Sequence, residues 1–215
     1  FKQMVKTLHD NDISVIMDVV YNHTYNTDYC YNKLVPDYFY RPGSNGSGCG
    51  NDVATERAMV RKFIVDSVTY WAKEYHINGF RFDLVGLIDV ETIKEVRAAL
   101  DEIDPSIIIY GEGWSMSTTS TKKGTAFSTQ TNAVNLGNFG MFNDTIRDAI
   151  KGSVFKPEEK GYVNGETGKA TTIKNSIQGR VAWSSLPYQQ INYSCCHDNL
   201  TIWDEINTSN ADDSM

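Results

Sequence analysis

Residues 78–86 read NGFRFDLVG, a run in which Arg81 and Asp83 alternate with Phe80, Phe82 and Leu84. Period-two alternation places Phe80, Phe82 and Leu84 on one face of a strand and the two charges on the other. An isolated buried charge costs more than a fold can offset. The charged face must therefore look onto a polar cavity or the inside of a barrel, while the apolar face packs under helices. The surrounding chain supplies those layers. ISVIMDVV (13–20) reads as a short, β-branched, buried strand. A loop over 21–52 follows, rich in Tyr, Asn, Gly and Pro, and loops of that length in a domain tend to carry function. Val60, Phe63, Ile64, Val68, Trp71, Ala72 and Tyr75 recur at helical spacing, with Asn51 or Asp52 as the expected cap. Asp89 is expected to cap a second helix striped by Ile93, Val96, Leu100 and Ile103. SIIIYGEGW (106–114) and QINYSCCHDN (190–199) read as further strands, and GMFNDTIRDAI (140–150) as a short strand and helix. Strand and helix alternate at crossover spacing, so the fold class is α/β with parallel strands.

In parallel α/β folds the carboxyl ends of the strands form the rim where ligands bind. Each predicted strand here ends in polar groups: Tyr21, Asn22 and His23; Asp83; Glu112 and Trp114; His197, Asp198 and Asn199. Three carboxylates, Asp83, Glu112 and Asp198, thus collect at one mouth with Arg81, His23, His197 and Trp114. Such a set suits acid, base and nucleophilic work on a neutral, hydroxyl-rich substrate. Asp18, inside the first strand, is expected to brace rather than react.

Composition narrows the partners. A formal net charge of −7 offers no attraction to phosphate backbones or anionic lipid, so neither nucleic acid nor a membrane surface is an expected partner. No apolar run approaches the roughly 20 residues needed to span a bilayer. The four cysteines make no disulfide framework. Cys195 and Cys196 are adjacent; Cys30 and Cys49 share a loop and are near enough in sequence to pair, but free thiols are the expectation. GSGCG (46–50) lacks the strand-to-helix setting of a phosphate site, and HDND (9–12) does not continue into a calcium loop, so no metal site is expected. Six Asn-x-Ser/Thr sequons, at Asn22, Asn45, Asn143, Asn192, Asn199 and Asn207, are taken as chance, because a glycan at Asn22 or Asn199 would block the rim.

DVVYNH (18–23), GFRFDLVG (79–86), YGEGW (110–114) and HDN (197–199), in that order, resemble the four sequence regions of the α-amylase superfamily, glycoside hydrolase family 13. The wider text, SNGSGCGNDVATERAMVRKFIVDSVTYWAKEY and HDNLTIWDEI, resembles the type I pullulanase group within it, and the resemblance covers nearly the whole chain. It implies a bacterial debranching hydrolase that cleaves α-1,6 bonds in pullulan and branched α-glucans with retention. Asp83 matches the nucleophile, Glu112 the general acid/base, and Asp198 the third carboxylate. Arg81, His23 and His197 match residues around the sugar, and Trp114 an aromatic beside it. Tyr21, Asn51, Asp52 and Asn199 are further expected glucan contacts. Two carboxyl groups about 5 Å apart suit a retaining mechanism. Arg81 would keep Asp83 ionised, and Glu112 would retain its proton through burial, with Trp114 supplying part of an apolar wall. No cofactor is implied, and no motif indicates calcium.

The sequence departs from many α-amylases in one place: Asp83 is followed by LVGLID rather than by a lysine and histidine, which speaks against α-1,4 endo-cleavage. Isoamylase-like glycogen debranching, and a catalytically silent glucan-binding barrel, stand as the alternatives. The resemblance also implies a partial (β/α)8 TIM barrel, about strands 3 to 7. The flanking strands and β domains would belong to the rest of a longer chain, and a 215-residue piece is expected to be weakly stable and poorly active alone. The compartment is left between cytoplasm and exterior, with the cytoplasm favoured.

Overall fold

In the computed structural model, which describes residues 1–28 and 31–210, the predicted alternation becomes a parallel sheet backed by helices. The chain divides into two units, Phe1–Met141 and Phe142–Met215. The first opens with helix α1, Lys2–His9, strand β1, Ile16–Val19, and a two-residue strand β2, His23–Thr24. A one-turn helix α2, Tyr31–Leu34, lies in the long loop, and strand β3, Asn51–Asp52, pairs antiparallel with β2. Helix α3, Ala58–Tyr75, strand β4, Gly79–Phe82, helix α4, Val90–Asp101, and strand β5, Ile108–Gly111, complete the βα rhythm. Strand β6, Gly140–Phe142, begins in the first unit, where Gly140 and Met141 pair with Tyr110 and Gly111.

β1, β4 and β5 run parallel in tight register: Asp18 lies beside Arg81, and Arg81 beside Tyr110. Val19, Phe80, Phe82 and Ile109 are buried on the face covered by α3 and α4. Val60, Ile64, Val68 and Ala72 of α3, and Ile93, Val96 and Leu100 of α4, are the buried stripes. At about 1.5–3 kcal/mol per large aliphatic side chain, this shared layer is the main stabilising contribution in the unit. The Asp89 side chain accepts from the Thr92 amide at 3.0 Å and caps α4 as expected.

Three expectations fail locally. β1 is not a buried strand: Ile16 and Val20 are 42% and 55% exposed, on the same face as the exposed Asp18. The reason is position, since β1 ends the sheet of this unit among the described residues. Leu84 does not continue the apolar face, because β4 stops at Phe82 and Leu84 turns into the left-handed region at φ 37°. Asn51 and Asp52 cap nothing. α3 starts at Ala58, and Arg57 at its N-cap makes no side-chain cap bond.

The second unit holds helix α5, Asp144–Lys151, helix α6, Ala170–Ile177, strand β7, Gln190–Ile191, and helix α7, Ile202–Ser209. Asn143 caps α5 through its side chain and also donates its amide to the Ile191 carbonyl at 3.0 Å. The strand expected over 190–199 is thus only two residues long. Beyond it the Cys195 sulfur accepts from the Ile202 amide at 3.0 Å, and Asn199 is left-handed at φ 65°, so the segment bends into a turn. Cys49, Cys195 and Cys196 are free and exposed; Cys30, and with it the considered pairing to Cys49, lies outside the described residues. Asn22 and Asn143 are fully buried, which agrees with chance sequons there. Among the described residues no helix is long and apolar enough to cross a membrane.

Candidate active site

The charged face of β4 centres on Arg81, whose side chain is only 7% exposed. Its Nη1 donates to Asp18 Oδ1 at 2.9 Å and to Asp83 Oδ1 at 3.0 Å, and its Nη2 pairs with Glu112 Oε1 at 2.6 Å. One guanidinium therefore gathers three carboxylates from three neighbouring strand segments. The register explains why: Phe82 lies opposite Gly111, so Asp83 and Glu112 are the next pair beyond two adjacent strand ends. Burial pulls the Arg81 pKa down, but the hydrogen bond to Asp18, the charge of Glu112 and the bond to Asp83 outweigh it and hold it above its usual value. Removing Arg81 would leave Asp83 and Glu112 side by side without their shared countercharge, Glu112 in a poorly solvated place.

Glu112 is buried, and its Oε2 accepts from the Leu84 amide at 3.1 Å. Each Glu112 oxygen thus meets a polar donor. A guanidinium and an amide donor both favour the ionised carboxylate, so in this arrangement Arg81 serves Glu112 as closely as it serves Asp83. The loops behind these residues nearly touch: a Cβ added at Gly86 would sit 2.0 Å from the Trp114 carbonyl oxygen, and the Gly86 amide donates to the Glu112 carbonyl at 3.1 Å. Trp114, half-buried, stands two residues beyond Glu112 on this rim.

Asn22, expected at the rim but given no role there, is fully buried against Asp83. Its Nδ2 donates to the Asp83 carbonyl at 2.5 Å and to Asp83 Oδ2 at 2.9 Å. Its Oδ1 bonds His23 Nδ1. A signal was available, since Asp18, Val20 and Asn22 continue one period-two face. His23, first residue of β2, is held against β3 through its pairing with Asp52.

Several of the expected glucan contacts are also bonded within the protein. Tyr21 turns to α3: its hydroxyl lies 2.6 Å from Ser67 Oγ, its ring packs edge-on to Phe63, and burial raises its pKa. Asn51 reaches toward the Thr24 carbonyl at 3.3 Å. Asp52 is fully buried, and its carboxylate accepts from Ser44 Oγ and Thr118 Oγ1, each at 2.5 Å, and from the Gly46 amide at 2.9 Å. Those oxygens are engaged by residues 44 and 46 of the loop and by Thr118 from a distant segment.

Next to this lies an ion pair with no sequence signature. Arg41 donates from Nε and Nη2 to Glu56 Oε2 at 3.0 and 2.8 Å, with side chains 0% and 2% exposed. Arg41 also donates to the Leu87 carbonyl at 2.8 Å. Glu56 Oε1 accepts from the Thr121 amide at 2.7 Å and from Ser120 Oγ at 3.1 Å. Three rim segments, 41–56, 84–87 and 118–121, are thereby fastened together.

His197, Asp198 and Asn199 belong to the second unit, on an exposed turn. His197 Nε2 lies 3.7 Å from Asp198 Oδ2, and Cys196 Sγ 3.1 Å from His197 Nδ1. The turn is anchored from beneath by buried Lys151, whose Nζ donates to the Leu200 carbonyl at 2.7 Å. The structure thus assembles Asp18, Asn22, His23, Arg81, Asp83 and Glu112 in one unit and His197–Asn199 in the other.

No protein-family profile matches the chain. The pullulanase of Bacillus subtilis (strain 168) is 41% identical over 217 residues, which is 95% of this chain and 30% of that protein. The chloroplastic pullulanase 1 of Arabidopsis thaliana is 32% identical over 96% of this chain and 28% of its own length. Among solved structures, the pullulanase of Anoxybacillus sp. LM18-11 complexed with maltotetraose superposes with a TM-score of 0.93 at 43% identity, covering 99% of this chain and 32% of that one. The chain spans about a third of the length of the relatives it matches.

Proposed function

The chain belongs with the pullulanases, matching them over 95% of its length, and from that premise we propose that it carries the reacting carboxylates of a retaining glycoside hydrolase that opens α-1,6 bonds in pullulan and branched α-glucans. The observation that carries this reading is the single guanidinium of Arg81 holding Asp83 and Glu112 at adjacent strand ends. A lone pair of Asp83 forms the bond to the anomeric carbon as the glycosidic bond breaks, and the leaving oxygen takes the proton of Glu112. Water then attacks the glycosyl-enzyme, gives its proton to Glu112, and frees Asp83. Asp198 would hold sugar hydroxyls, with His23, His197 and Trp114 around the ring. The maltotetraose bound by the Anoxybacillus relative supports an α-glucan as the substrate class.

The test is reducing-end release from pullulan by the full-length gene product. Asp83→Asn and Glu112→Gln are each expected to lower kcat at least about 1,000-fold with the fold intact, because each removes a reacting group. Maltotriose release from pullulan outpacing debranching of glycogen separates the pullulanase reading from the isoamylase one. Turnover by Asp83→Asn close to that of the parent overturns the proposal.

A further inference from the structure

We propose that Asn22 is a positioning residue for this chemistry: it fixes the carboxylate plane of Asp83 and the tautomer of His23 at once. The inference rests on the reading of Asp83 as nucleophile. Arg81 holds Asp83 Oδ1 at 3.0 Å, and Asn22 holds Oδ2 at 2.9 Å. The terminal torsion of an aspartate is broad and two-fold, so a bond to one oxygen leaves the plane free to swing. Bonds to both oxygens from different segments fix it. A carboxylate fixed in a near-attack orientation carries much of the entropic advantage of a positioned nucleophile.

The same side chain decides the chemistry of its neighbour. Asn22 Nδ2 faces two oxygens of Asp83, its carbonyl and Oδ2, so that atom must be the amide nitrogen. Oδ1 is then the atom that meets His23 Nδ1, and an acceptor there requires the proton on Nδ1. In the neutral ring Nε2 is left as an acceptor, suited to a sugar hydroxyl. Full burial of Asn22 removes competition from water for either bond. Nothing in this arrangement is needed to close β2 on β3, which backbone pairing of His23 with Asp52 and Thr24 with Asn51 already does.

Two variants of the full-length gene product separate the roles. Asn22→Asp keeps shape and the acceptor toward His23 but replaces the donor toward Asp83; Asn22→Ala removes both. Asn22→Asp is expected to lose at least about 10- to 100-fold in kcat with KM within about threefold, the scale of one hydrogen bond to a charged group with the repulsion of a second carboxylate added. Asn22→Ala is expected to lose a similar factor in kcat and to raise KM as well. The kcat loss should persist on an α-maltotriosyl fluoride, whose leaving group needs no proton from Glu112. Nitrogen NMR of the His23 ring should show the Nδ1–H tautomer in the parent and in Asn22→Asp, and a mixture in Asn22→Ala. Parent-like kcat per folded molecule in both variants overturns the inference, as does an unchanged tautomer in Asn22→Ala. If Asp83→Asn is inactive while both Asn22 variants are not, only this inference fails; if Asp83→Asn remains active, the proposed function fails first.

Discussion

Neutralising Glu56 should unfasten the rim, and the structure sets the size of the effect. Burial alone would raise the Glu56 pKa, but the bonds and charge of Arg41, with the Thr121 amide, bring it down from 4.5 to about 2. At about 1.4 kcal/mol per tenfold, that fall corresponds to about 3–4 kcal/mol of native-state preference for the ionised form. Its sign follows from linkage. A carboxyl whose folded pKa is depressed contributes fully above its unfolded value near 4.5 and loses that contribution as pH falls toward 2. Urea unfolding of the full-length gene product, followed from pH 7 to pH 2, should show stability declining through that window. Glu56→Gln should be destabilised by about 3–5 kcal/mol at pH 7, because Arg41 is left buried without its countercharge, and its decline below pH 4.5 should be shallower by one proton. Combining it with Arg41→Met should recover part of the loss, since no unpaired charge then remains. A Glu56→Gln variant within about 1 kcal/mol of the parent, with an unchanged pH slope, would refute the claim that this pair fastens the three loops.

Two further outcomes are expected. Gly86→Ala would drive a methyl to 2.0 Å from the Trp114 carbonyl; loops held by the Gly86 amide on Glu112 cannot part freely, so stability should fall by about 1–3 kcal/mol and kcat with it, measured by thermal melts and pullulan hydrolysis. Asp89→Ala removes the cap of α4 and the bonds to Thr92 and Arg61. The loss should be about 1–2 kcal/mol in urea titrations, with kcat per folded molecule unchanged.

What the sequence determined by itself is local. Apolar spacing located α3 and α4 and most of their buried stripes, although Phe63 is 39% exposed and Ile103 lies past the end of α4; the Asp89 cap was legible three residues ahead of its Thr92 donor, and period-two alternation put Arg81 and Asp83 on one face. Each depends on residues a few positions apart, whose geometry the backbone dictates. The third-dimension facts depend on which segments meet. Nothing near Asp52 in the chain reveals that Thr118 will occupy its carboxylate, and nothing near Arg41 points to Glu56 rather than to solvent. Alternation puts the neighbours Tyr21 and Asn22 on opposite faces, but that those faces meet Ser67 of α3 and Asp83 depends on which segments pack there. Arg81 was legible as a charge that needed a partner. That it has three, one of them on an exposed edge strand and another the expected proton donor, follows only from the register of β1, β4 and β5, where parallel pairing sets Asp18, Asp83 and Glu112 around one guanidinium.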